Sequence, residues 1–434
     1  MPEPAVPTLD AVRARMREDW NARAEEDAHY YVSFGRRNQT GDEFFDTAHE
    51  QVHGFTLEMK RLAPGPMRAR RALEIGCGPG RLMKPLAALF GEIHGVDISD
   101  QMVARAQENL QGVPHAHPHH APNSNLEAFA DASFDFVYSY AVFQHIPSRE
   151  VVMGYLDEAA RVLKAGGIIR VQINGLPQSA RVYDTWSGVR IPEDDVRAWA
   201  RAAGLQLLAL EGAGTQYMWA TFRKPLAAVE ERRAVRIRRV TNAHSSEPVA
   251  PVRGRFAALA LWVEGLPREA DLNEIEVLVD GRAARLTYLG PPEFDGMRQL
   301  NLILPEGLDT GLGMIELRTP TASEAARASI RLISPGPPVP RVLSVSDGID
   351  LLSGMRIVTG SVKVVLEEVE QPERLRAFVG GVAVESLDHF CTDPRLPRWE
   401  VNFDVPAGAA SGASVVRMEL GARALGEFGV DVVR

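Results

Sequence analysis

Cysteine is almost missing from this chain: Cys77 and Cys391 are the only two in 434 residues, and they stand far apart. A disulfide framework is therefore excluded, and a reducing, cytoplasmic setting is expected. Long apolar runs are also missing. No stretch reaches the roughly 18 apolar residues that a membrane span needs, and Met1–Trp20 is proline-rich and then charged, with no apolar core of a leader. Neither export nor membrane insertion is expected. Nor is there an excess of positive charge. A net charge of -9 and a pI near 5.7 leave out the basic footprint of a nucleic-acid binder. What remains, 24% charged and 45% hydrophobic, is ordinary for a globular chain, and its length exceeds one core, so roughly two to four domains are expected.

The most informative stretch is Ala72-Leu73-Glu74-Ile75-Gly76-Cys77-Gly78-Pro79-Gly80-Arg81-Leu82. An apolar run reads as a strand, three glycines at alternate positions read as a tight turn, and an apolar helical pattern follows. Such a turn lets backbone approach a ligand closely, with free N–H groups at the helix start behind it. A nucleotide-like ligand is the expected occupant.

Before this turn, Leu9, Val12, Met16 and Trp20 recur at helical spacing. A second helical pattern runs from about Asp42 to Leu62, and the two bracket an aromatic cluster of Tyr30, Tyr31 and Phe34. Residues 1–69 are expected to form a helical lid. From Arg71 onward strands alternate with helices: Ala72–Ile75, helix Arg81–Phe90, Glu92–Val96, helix Asp100–Leu110, His115–His120, Phe134–Tyr138, helix Ser148–Leu163 and Ile168–Ile173. This order predicts an α/β, Rossmann-like, doubly wound parallel sheet with ligands beyond the strand C-termini. Helix Glu193–Ala203 and a short-looped pair, Gln206–Leu210 and Tyr217–Phe222, add an antiparallel hairpin and close this domain at residues 70–224. Short alternating strands with Gly, Pro and Asp turns then predict two all-β sandwiches, 225–338 and 339–434, divided at Pro335-Gly336-Pro337-Pro338.

These features, in this order, resemble class I S-adenosylmethionine-dependent methyltransferases. The likeness is carried by Glu74-Ile75-Gly76-Cys77-Gly78-Pro79-Gly80, by Asp97 in Gly95-Val96-Asp97-Ile98-Ser99, by Ser133-Phe134-Asp135-Phe136-Val137-Tyr138-Ser139 and by Arg161-Val162-Leu163-Lys164-Ala165-Gly166-Gly167. Nicotinamide folds carry the third glycine one place later, where this chain has Arg81. The resemblance implies a seven-stranded sheet with the third strand at its edge, in keeping with Pro118. It implies S-adenosyl-L-methionine as cofactor, with Glu74, Gly76, Cys77, Gly78 and Gly80 at its methionine and ribose portion. Asp97 with Ile98 would meet the ribose and Asn125-Leu126 the adenine, while Ser139 and Tyr140 complete the set. The family pattern has an Asp-Leu-like pair where Asn125-Leu126 stands, and an Asn oxygen still accepts from an amine. More thinly, Tyr288–Asn301 resembles a segment of immunoglobulin-like repeats in bacterial surface proteins.

A base is needed only where the acceptor loses a proton, and His145 is the candidate, against a plain turn histidine. Tyr30, Tyr31, Tyr183 and Trp186 are candidates for the acceptor side, against core packing. His115, His117, His119 and His120 lack a carboxylate or thiolate spaced to complete a metal site, so a solvated edge strand and no metal are expected. The arginines at 232, 233, 236, 238 and 239 read as a charged edge strand. The expected function is methyl transfer to oxygen or nitrogen of a small-molecule or sugar-like acceptor. The alternative is a silent cofactor fold whose sandwiches bind glycan or protein.

Overall fold

A computed structural model describes residues 7–33, 37–178, 183–226, 234–254, 256–320, 322–350, 353–393 and 397–433. It divides into two compact units. One comprises Met1–Glu25 with Phe45–Pro335, and the other Glu26–Phe44 with Gly336–Arg434. Helix α1 (Leu9–Ser33) crosses that division and is broken at Asp27, where the backbone becomes extended. The expected helix 42–62 is two pieces, α2 (Gly41–Asp46) and α3 (His49–Met59). At the break between them the Thr47 carbonyl accepts from Arg81 instead of continuing a helix.

The first unit holds β1 (Arg71–Ile75), α4 (Met83–Ala87), β2 (Glu92–Asp97), α5 (Asp100–Asn109), β3 (Ala116–His120), β4 (Phe134–Ser139), α6 (Arg149–Val162), β5 (Leu163–Ile173), α7 (Glu193–Ala202), β6 (Gln206–Glu211) and β7 (Met218–Arg223). Ser99 caps α5 by accepting from Met102 N–H, and Ser148 caps α6 by accepting from Val151 N–H. Helix α4 is shorter than expected because Ala88 and Leu89 N–H groups bond three residues back, tightening its end before Gly91. The sheet order begins β3-β2-β1-β4-β5-β7-β6, parallel except that β7 runs antiparallel to both β5 and β6. This is the doubly wound order expected, with the Pro118 strand at the edge. That edge is less solvated than expected: His119 lies 3.0 Å from His94, and His120 donates to the Ile98 carbonyl.

The sheet does not end at β6. It continues through β13 (Arg285–Leu289), β14 (Arg298–Ile303), β10 (Ala258–Glu264) and β8 (Arg236–Asn242), eleven strands among the described residues. The join is Tyr288 of β13 opposite Ala209 of β6. Leu207-Leu208-Ala209-Leu210 is fully buried, the pattern of a strand with neighbours on both sides, not of a charged edge. A second sheet combines β9 (Val249–Pro251), β11 (Glu276–Val279), β12 (Arg282–Ala283), β15 (Gly311–Arg318) and β16 (Ala326–Ile333). Its Val277, Val279, Ile315 and Ile330 share one core with Leu259 and Leu261 of β10 and with Leu73 and Val137 of the parallel strands. Arg236, Arg238 and Arg239 lie on the outermost strand, β8, where Arg238 pairs with Glu264 at 2.7 Å; positions 232 and 233 are outside the described residues.

Three buried arginines hold the junction of parallel and antiparallel strands. Arg61 pairs with Glu58 at 2.7 Å and donates to the Leu289 carbonyl. Arg223 donates to the carbonyls of Arg61 (2.7 Å) and Arg268 (3.0 Å), and Arg298 to those of Gly290 (2.8 Å) and Pro267. Burial pushes the Arg298 guanidinium down to about 9 and that of Arg223 down to about 10, with neighbouring arginines adding to each shift.

In the second unit, strands Ser361–Glu367 and Arg398–Asp404 of one sheet face Leu375–Val379, Gly412–Leu420 and Arg423–Val432 of another. They meet over a core including Val362, Val364, Val401, Val379, Val416 and Met418. This strand-rich region has two sheets on one core.

Candidate active site

The glycine turn is shaped by what lies against it. Gly76 has φ +72°, and a Cβ there would stand 2.4 Å from Val142 Cγ2, so backbone and side chain meet where only glycine fits. The N–H groups of Gly76 and Cys77 both reach the Val96 carbonyl, at 2.8 and 3.0 Å. Asp97, at the end of β2, then closes the turn. Its Oδ2 accepts from Gly78 N–H at 2.8 Å and its Oδ1 from Ser99 N–H at 2.9 Å. Burial pushes this carboxyl above its usual range, and the two N–H donors oppose the shift.

Beneath the turn, Glu74 is buried and accepts from the Tyr138 hydroxyl at 2.9 Å. Burial pushes its carboxyl up to about 8, against the Tyr138 hydrogen bond and the Arg81 charge. Arg81 donates to the Thr47 carbonyl at 2.9 Å, tying the α2–α3 break to the turn. Ser139 Oγ donates to the Ile75 carbonyl at 2.8 Å, locking the ends of β4 and β1 together. Cys77 is buried, and burial pushes its thiol well up, so it is a small neutral filler and not a nucleophile. Ile98 is buried beside Asp97. Asn125 is half-buried after β3, and Leu126 is buried with its N–H on Glu158 Oε2.

His145 follows β4 but is buried. Its Nδ1–H donates to the Thr185 carbonyl at 3.0 Å, and Trp20 meets its ring edge-on at 5.5 Å. Burial pushes it down to about 4, with Arg23 adding to the effect and Thr185 opposing it. The imidazole is therefore neutral and anchors the loop that carries Tyr183 and Trp186. Tyr183 is half-buried; Trp186 is exposed and lies over the Arg23 guanidinium at 4.3 Å. Tyr30 and Tyr31 belong to the second unit, where their rings meet edge-on at 5.1 Å. Among the described residues, no group of three or more His, Cys, Asp or Glu is placed to hold a metal ion.

The buried titratable groups predict an acid response. His94 is also pushed down to about 4, by burial first, with Glu92 opposing. A histidine whose folded pKa lies below its unfolded value stabilises above about pH 6.5 and loses that contribution as pH falls toward 4, at about 1.4 kcal/mol per pH unit. Glu74 works the other way: its folded pKa is raised, so it adds stability as pH falls from about 8 to about 4.5. Asp97, raised, and His119, lowered, oppose each other. His94 and His145 lower stability as pH falls from about 6.5 to 5 while Glu74 opposes them, so Glu74→Gln should steepen the loss by about 1.4 kcal/mol per pH unit. Urea unfolding midpoints across this range measure both; an unchanged slope in the variant refutes the Glu74 assignment.

Sequence reasoning missed a cavity of about 330 Å³ lined by Glu50, Gln51, Gly54 and Phe55 of α3, Tyr140 after β4, Arg170 and Gln172 of β5, and Trp219 of β7. Gln172 and Trp219 are register partners, and Tyr140 lies parallel to Trp219 at 5.7 Å. A signal was present. In Ile168-Ile169-Arg170-Val171-Gln172-Ile173, polar residues alternate within a strand that the sheet buries on both faces, which no packing need explains.

Residues 73–171 match the family model described as a methyltransferase domain. Among curated proteins, the chain is similar to ubiquinone biosynthesis O-methyltransferases. That of Sinorhizobium fredii is 28% identical over 25% of this chain and 43% of its own length. That of Methylococcus capsulatus is 27% identical over 37% of this chain and 80% of its own length. The chain thus spans less than half the length of the first. A solved geranyl diphosphate C-methyltransferase from Streptomyces coelicolor, in complex with Mg2+, geranyl diphosphate and S-adenosyl-L-homocysteine, is 12% identical. That match covers 51% of this chain and 100% of that one, with a TM-score of 0.37.

Proposed function

We propose that this chain, whose residues 73–171 carry a methyltransferase domain, is an S-adenosylmethionine-dependent methyltransferase acting on oxygen or nitrogen of a small-molecule or sugar-like acceptor. One observation carries the reading: Asp97 is fixed by Gly78 N–H and Ser99 N–H at the mouth of the glycine turn, at the carboxyl end of the sheet. Its remaining lone pairs suit the two ribose hydroxyls. Gly76, Gly78 and Gly80 cradle the methionine and ribose portion, Glu74, Cys77, Ser139 and Tyr140 support that cradle, Ile98 stands beside Asp97 at the ribose, and Asn125 and Leu126 meet the base.

When bound, the cofactor supplies an activated methyl group on a sulfonium. The protein must then align the acceptor and exclude water, which alone can supply ~7–11 kcal/mol. The aromatic rings of Tyr140 and Trp219 suit a cationic neighbour. His145, buried and committed to Thr185, is assigned to holding its loop and not to proton abstraction. The second unit is read as an immunoglobulin-like module contacting glycan or protein, and the setting as cytoplasmic. No helix among the described residues is long and apolar enough to cross a membrane. A silent cofactor fold is disfavoured because the glycines and Asp97 stand together with their hydrogen bonds made.

Calorimetry with S-adenosylhomocysteine tests the central reading. Binding tighter than about 100 μM is expected; no heat at high micromolar ligand removes it.

A further inference from the structure

The first part of α1, up to Glu25, belongs to the same unit as the glycine turn, and Met16 seats it in the core of that unit. One turn of this helix then reaches two loops. Asp19 accepts from Thr185 Oγ1 at 2.7 Å, and Arg23 donates to the same oxygen at 2.9 Å. Standing four positions apart, these two side chains share a helix face and grip the loop after β5 together. Arg23 also lies over the rings of Trp20 at 4.6 Å and Trp186 at 4.3 Å. The helix is thus held on that side without help from Asn21.

Asn21, two positions from each, lies on the other side of the helix and meets the turn after β2. Its Nδ2 donates to Asp100 Oδ1 at 2.8 Å, and its Oδ1 accepts from Ser99 Oγ at 2.6 Å. The partners fix this orientation of the amide. A carboxylate only accepts, so the nitrogen must face Asp100. Ser99 Oγ already accepts from Met102 N–H, so its own hydrogen goes to Asn21. Ser99 is fully buried, and its backbone N–H is the donor that fixes Asp97 Oδ1 at 2.9 Å. Asn21 therefore grips, from outside the turn, the two residues that follow Asp97-Ile98.

Resting on the methyltransferase reading above, we propose that Asn21 is a positioning residue for the cofactor's ribose: it holds Ser99 and Asp100 so that Asp97 presents its free lone pairs to the ribose hydroxyls. Without the amide, the buried Ser99 hydroxyl loses its acceptor and the turn that pins Oδ1 loosens. The cost falls on ligands that carry ribose hydroxyls. The fold, seated through Met16 and Thr185, keeps its stability.

The test is calorimetry on the full chain with S-adenosylhomocysteine and its 2′-deoxy analogue. Asn21→Ala should weaken S-adenosylhomocysteine binding about tenfold and binding of the analogue about threefold or less, since the analogue has one hydroxyl fewer to misplace. Tm should stay within about 3 °C of wild type. Asn21→Asp alone sets two carboxylates against each other and should bind no better than the alanine variant. Combined with Asp100→Asn it keeps the acceptor for Ser99 and restores the second hydrogen bond with its direction reversed, so affinity should return to within about twofold of wild type. This pair of variants decides the matter if the alanine variant fails to fold. Equal losses for the two ligands, no loss for either, or no recovery in the exchanged pair overturns the positioning role while binding by the wild type still supports the cofactor. No binding of S-adenosylhomocysteine by the wild type overturns both.

Discussion

Asp97→Ala is expected to weaken S-adenosylhomocysteine binding by about 100-fold, equivalent to about 2.7 kcal/mol. Two contributions add. The carboxylate holds Gly78 N–H and Ser99 N–H, so its removal frees the turn that it shapes. It also offers the lone pairs proposed for the ribose hydroxyls, and hydrogen bonds to a charged group contribute about 1.5–3 kcal/mol each. Asp97→Asn keeps one acceptor oxygen and should fall between wild type and the alanine variant. Calorimetry on both variants, with circular dichroism to show an intact fold, measures the effect. Equal affinity in wild type and Asp97→Ala removes the ribose role.

Arg61→Met should destabilise the first unit by about 3–5 kcal/mol, the cost of leaving one member of a buried ion pair uncompensated. Arg61 and Glu58 are 2% and 7% exposed and lie 2.7 Å apart. The methionine stem fills similar space, so the loss isolates the charge and the donation to the Leu289 carbonyl. The double variant with Glu58→Gln should recover part of the loss, since no carboxylate is then stranded. Urea unfolding of the four proteins closes the cycle. A single variant within about 1 kcal/mol of wild type would show that the pair is dispensable.

The parallel half of the sheet was legible because its signals are local. Strand, turn and helix follow one another from Ala72 to Leu82, and Pro118 marks an edge. The glycine turn and the Asp97 that closes it were legible for the same reason, since they stand at and directly after strand ends. The cavity beside α3 was not, because it assembles α3, β5 and β7, segments far apart in sequence whose polar residues look unremarkable singly. Nothing in the sequence singles out Arg61, Arg223 and Arg298. Only the β6–β13 pairing explains why guanidinium groups are sunk among backbone carbonyls. The kind of signal that did exist was negative: apolar Leu207–Leu210 lacks everything an exposed edge would carry.

The eleven-stranded sheet also decides where this protein can be cut. A chain stopped at Lys224, where strand grammar changes, would bare the β6 backbone as a ready template for pairing with another molecule. It would also strip Arg61 and Arg223 of acceptors at Leu289 and Arg268. A soluble, separable catalytic half must instead carry the antiparallel strands with it and end near Pro335. The change from α/β to all-β grammar is not a seam in the folded object.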